Sequence, residues 1–176
     1  MSSFSSNFNY RLIIIHLVAF WFFYFGGETL GFLHDSVFLR PDLYPIAKFA
    51  YPGREAYDFN FIQQMGNFSI LAGYIIAWFI ARKAGWHWIN DAIAFVIAIV
   101  LGNIQWFGWS HLSKIAMLPS GLFDPHSKGY YLAPALVMLA IGLLIMFSKP
   151  IIRYISKGQH KNTAATAAAK KAKRVR

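Results

Sequence analysis

Apolar residues run almost unbroken through four stretches of the chain, and polar residues collect between them. The runs cover Leu12 to Leu33, Phe61 to Ala81, Ile89 to Trp109 and Tyr131 to Phe147. A hydrocarbon layer about 30 Å thick is crossed by about 20 helical residues. Apolar side chains occupy every face of each run, which rules out a surface helix of a soluble domain. The pattern therefore predicts an all-α integral membrane protein, a bundle of four transmembrane helices. The fourth run is predicted to pass through Pro150 into an interfacial turn that ends near Ile155. The segments 34–60 and 110–130 read as outer loops. Pro41, Pro45, Pro52, Pro119 and Pro125 lie in them, which favours ordered turns.

Composition supports this reading. Hydrophobic residues make up 57% of the 176 positions and charged residues 14%, against the roughly 25% charged that a soluble surface carries. There is no cysteine, which excludes a disulfide framework and a thiolate metal site. The formal charge of +10 would suggest nucleic acid for a soluble chain. Here the placement of the charges makes nucleic acid an unexpected partner. Arg11, Arg82, Lys83, Lys149, Arg153 and the Lys and Arg residues from 157 to 176 all fall on one side of the predicted spans. They account for twelve of the 17 basic residues. Arg40, Lys48, Arg54, Lys114 and Lys128 fall on the other side, beside Asp35, Asp42, Glu55, Asp58 and Asp124. Lys and Arg accumulate on the cytoplasmic side, so the expected location is the inner (cytoplasmic) membrane, multi-pass, with both termini inside.

Two regions follow. Residues 1–158 form the membrane domain and 159–176 a basic Ala/Lys-rich cytoplasmic tail. Its lysines and arginines are each attracted to anionic headgroups by about 1 kcal/mol. The first eleven residues do not read as a cleavable signal, since the apolar run is too long and no small-residue cleavage site follows. Tyr10, Trp86, Trp88 and Tyr154 are expected at the inner interface, and Trp106, Trp109, Tyr130 and Tyr131 at the outer one. YFGGETLGFL (24–33) and WFGWSHLSKI (106–115) share an aromatic-Phe-Gly start, a possible trace of duplication.

Helices in lipid associate through small residues and polar contacts. Gly27 and Gly31 in the first run, Ser69, Gly73, Ala77 and Ala81 in the second, and Ala94, Ala98 and Gly102 in the third are spaced for that purpose. At 100° per residue, Asp91, Ala98, Gly102 and Gln105 share one side of the third helix. The rings from Phe20 to Phe25 surround the first helix, so some of them are expected to face lipid, a cofactor tail or another subunit.

The ionisable and amide groups supply the candidate chemistry. Glu28 lies near the outer end of the first span, about 24 Å from Leu12. An intramembrane carboxylate calls for a partner, and Lys114 or His111 could serve. Glu28 and His111 are the catalytic candidates. Asn90 or Asp91 is expected to cap the third helix. Asn103 and Gln105 are expected to bond between helices. His34, His111, Asp124 and His126 are the metal candidates, because imidazole and carboxylate are ordinary ligands of zinc and other divalent ions. Two histidines at one depth would suit haem, and His16 lies deeper than His87. Haem, quinone and a divalent metal thus all stay open as cofactors.

In size and layout the chain resembles the DoxX-like quinone-linked membrane proteins; no motif is shared and no residue role carries over. The expected role is a small subunit or accessory protein of a larger inner-membrane complex, in contact with membrane lipids and other membrane-protein subunits. The alternatives are a quinone-, haem- or metal-linked redox enzyme with an outer-face site, and a proton or ion conductor using Glu28 and the Asp91–Gln105 face.

Overall fold

The computed structural model describes residues 8–34, 59–104, 118–123 and 128–156, and every regular element among them is helical. Helix α1 is Tyr10–His34, α2 is Phe59–Ala84 and α3 is Ile89–Asn103. A short 3-10 turn at Leu118–Leu122 precedes α4, Gly129–Phe147. A final helix, α5, covers 149–156. Helices α1, α2 and α4 are long and apolar enough to cross a membrane, and α3 is a shorter apolar helix. The outer part of the third predicted span, 105–109, lies outside the described residues.

Helix α1 is the hub. In its most apolar stretch 61% of the residues are buried, against 28% in α2 and 33% in α4. Helices α2, α3 and α4 all pack on it, whereas α3 and α4 scarcely touch one another. The aromatic collar explains this arrangement. Phe20, Phe23, Tyr24 and Phe25 are buried by these neighbours, and Trp21 and Phe22 are half-buried. Four of the six rings are therefore consumed inside the molecule, and Trp21 and Phe22 are left partly exposed.

Glycines make room for the rings. Phe23 lies against Gly73 of α2 and Gly142 of α4, where an added Cβ would meet the ring at 3.0 and 2.8 Å. Tyr24 sits in the same way between Gly66 of α2 and Gly102 of α3, with corresponding distances of 2.8 and 2.7 Å. In the other direction, Gly27 of α1 admits Ser69 and the Met65 carbonyl, Gly31 admits Ile62, and Gly26 admits Leu139. Close approach of this kind is how helices gain contact when lipid supplies no hydrophobic drive.

Helices α2 and α3 are joined by a tight reversal. Gly85 takes φ +67°, a left-handed conformation that costs a side-chain-bearing residue about 1–2 kcal/mol. The Trp86 N–H then donates to the Ala81 carbonyl at 2.9 Å, which satisfies an end-of-helix acceptor. Trp86 folds back against Ala81, Leu12 and Ile155 in a second apolar cluster. Trp86 is thus buried, whereas Tyr10, Trp88 and Tyr154 are exposed. At the other reversal, Ser148 is extended (ψ 114°) and ends α4. Its carbonyl accepts from Ile152 N at 2.9 Å. Pro150 therefore sits in the first turn of α5, where its missing N–H costs nothing.

Candidate functional site

Two polar groups of residues interrupt the apolar interior, one toward each end of α1. The first starts at Asn9. Its Oδ1 accepts from Leu12 N at 3.3 Å and so caps α1. Its backbone N–H donates to Asn90 Oδ1 at 2.9 Å, and its Nδ2 donates to the Ile155 carbonyl at 3.4 Å. Asn90 Nδ2 donates to the His87 carbonyl at 3.0 Å. The starts of α1 and α3 and the end of α5 therefore meet at one end of the molecule.

His16 lies seven residues further along α1, about 10 Å deeper. Its Nδ1 is 2.7 Å from Asp91 Oδ1, with the two side chains 1% and 0% exposed. The separation is that of an ion pair, although the two atoms are not aligned as a hydrogen bond, and Asp91 Oδ2 has no hydrogen-bond partner among the described residues. The Phe20 and Trp86 rings flank the imidazole, with centroids 6.0 and 6.3 Å away. The contact is attractive when the imidazole carries a proton. In so apolar a setting, either charge without the other would be costly.

This corrects the expected cap. The N-cap of α3 is Trp88, with no side-chain hydrogen bond. Asn90 instead accepts from the backbone of Asn9, and Asp91 turns to His16. On the face that buries Asp91, α3 also buries Ala94, Ala98 and Gly102.

The second group lies about 18 Å further along α1, twelve residues on from His16. Glu28 is half-buried with its carboxyl against the Tyr24 hydroxyl, and Gly66 leaves space for both side chains. Tyr24 Oη also lies 3.2 Å from the Gly102 carbonyl. Asn67 and Asn103 face each other across α2 and α3, each amide donating to the other at 3.3–3.4 Å. Gln63 Nε2 donates to the Asn103 carbonyl at 3.5 Å. Between the two groups the core is apolar: Ala19, Phe20, Phe23, Ile70, Ala94 and Ala98.

Of the other residues singled out by sequence, His34 packs its ring on Phe61 at 4.7 Å. Ala77 and Ala98 are fully buried. His111, Lys114, Asp124, His126 and Gln105 lie outside the described residues. Among the described residues, no three His, Asp or Glu side chains come close enough to hold a metal ion. Spacing alone overlooked Gly26, Gly66 and Gly142. Seven-residue intervals, 66 to 73 and 135 to 142, carry the signal that points to two of them. No family model, curated protein or solved structure matches the chain.

Proposed function

We propose that the chain is a four-span protein of the inner membrane, with both ends in the cytoplasm, that serves as a small subunit or accessory protein of a larger membrane assembly. One observation carries the reading. Polar groups engage each other across helices: the Asn9 backbone N–H with the Asn90 side chain, buried His16 with buried Asp91, and, at a more exposed position, Asn67 with Asn103. Contacts of this kind fix helix register, which suits a scaffold. The cytoplasmic placement of the ends rests on the distribution of Lys and Arg. Extraction in mild detergent is expected to bring other membrane proteins along at a fixed ratio. A chain that is monomeric and alone in native mass spectrometry would defeat the proposal.

A second reading is favoured by the carboxylate oxygen of Asp91 that lacks a hydrogen-bond partner among the described residues. Ionisable groups within a membrane mark proton and ion paths by default, and His16 and Asp91 are both buried with Nδ1 and Oδ1 2.7 Å apart. The apolar stretch between His16 and Tyr24 weighs against a continuous path, so this reading confines proton handling to the Asn9 end. Proton flux into proteoliposomes that Asp91→Asn abolishes would establish this reading. Flux that is absent, or equal in Asp91→Asn, would remove it.

A further inference from the structure

We infer that the Asn9 end of the folded chain carries a docking site for anionic lipid headgroups, built on Arg11 and the basic face of α5 rather than on the 159–176 tail. The inference rests on the membrane reading above and is independent of any subunit role.

Three of the helices at this end contribute basic side chains, Arg11 from α1, Arg82 and Lys83 from α2, and Lys149 and Arg153 from α5, whereas α3 contributes none. Arg11 and Arg82 stand next in the chain to Leu12 and Ala81 of the apolar cluster, and Arg153 two residues before its Ile155. Among the described residues, the acids are Glu28, toward the other end of α1, and Asp91, which is fully buried. No described exposed acid therefore offsets these charges. The exposed rings of Tyr10, Trp88 and Tyr154 stand among them, the residue types that settle at headgroup depth.

Helix α5 has the form of an interfacial helix. Ile155 is buried, and Ile151 and Ile152 are half-buried against the cluster. Lys149, Arg153 and Tyr154 are exposed, and residues four apart such as 149 and 153 share a face. A short helix that is apolar beneath and basic above fits a surface of negative headgroups.

Arg11 is held in place for the same task. Its guanidinium lies 4.4 Å from the centroid of the Tyr154 ring and 5.8 Å from that of Tyr10. Nε is 3.4 Å from the Tyr10 hydroxyl, and Nη1 is 3.4 Å from the Tyr154 carbonyl. A guanidinium has five N–H groups, so these two contacts leave three for another acceptor. A fork held by two rings and a carbonyl suits the paired oxygens of a phosphodiester.

The test is native mass spectrometry of the full chain in detergent, titrated with phosphatidylglycerol and, separately, with phosphatidylcholine. The anionic lipid is expected to bind preferentially. The double variant Lys149→Gln/Arg153→Gln, whose side chains are exposed, is expected to weaken that binding about 30-fold, the loss that follows from removing two basic groups at an anionic surface. Arg11→Lys, which keeps the charge and loses the fork, is also expected to weaken it. A tail variant, Lys170→Gln/Lys171→Gln/Lys173→Gln/Arg174→Gln, is expected to keep most of the preference. Equal binding of the two lipids would overturn the inference. So would a loss that follows the tail variant alone, or displacement by inorganic phosphate. Release of the chain from membranes by alkaline washing would sink the membrane reading and the site together, whereas a wash-resistant chain without lipid preference sinks the site alone.

Discussion

At the scale of single residues, His16 and Asp91 make the sharpest demand on the chain. Neither is exposed, and His16 Nδ1 and Asp91 Oδ1 lie 2.7 Å apart. Removing one partner of a buried pair costs about 3–5 kcal/mol, because the remaining charge is left uncompensated. His16→Leu and Asp91→Leu are each expected to destabilise the protein by that amount in detergent-based unfolding. The double substitution is expected to recover most of the loss, since well-packed apolar residues replace buried ion pairs at little cost. Equal, additive losses would mean that the two side chains act separately. The pair was not legible in the sequence. Seventy-five positions separate its members, and Asp91 stands where a carboxylate ordinarily caps its own helix. What moved it was the reach of His16 from α1 and the folding of Trp86 over the same spot.

At the scale of elements, run length made the helices legible. The apolar stretches expected from Leu12, Phe61 and Tyr131 correspond to α1, α2 and α4, each extended by one to three residues at one or both ends. Depth was less legible for rings. Trp86 reads as an interfacial residue by position, yet the left-handed turn at Gly85 carries it inward. Gly85→Ala is expected to cost about 1–2 kcal/mol from backbone strain alone, because nothing lies within 4 Å of the position its Cβ would take. Gly27→Ala is expected to cost more than Gly73→Ala when both are measured by unfolding. The first would drive a methyl group into the Met65 carbonyl, which is backbone, and the second would meet the Phe23 ring, which can shift. Overpacking of a tight interior costs about 1–3 kcal/mol. Gly66→Ala would press on both Tyr24 and Glu28.

At the scale of the whole molecule, one helix surrounded by three others accounts for the uneven burial of α1, α2 and α4. Helices α3 and α4 scarcely touch one another, and α1 exposes Ile14 and Val18 along one flank. If a partner helix fills that flank in the assembly, cysteines placed at these two positions should cross-link to another membrane protein in native membranes. Lipid alone there would leave only the uncoupled chain. Order along the chain has a further consequence through Asn9. This early residue caps α1, yet two of its own groups wait for atoms made much later, Asn90 Oδ1 and the Ile155 carbonyl. During synthesis these two bonds therefore stay open until the later segments have been made. A chain cut short at Ser148 would lack the Ile155 carbonyl that Asn9 reaches and the isoleucines that cover Trp86, and is expected to be cut faster in limited proteolysis than the full chain.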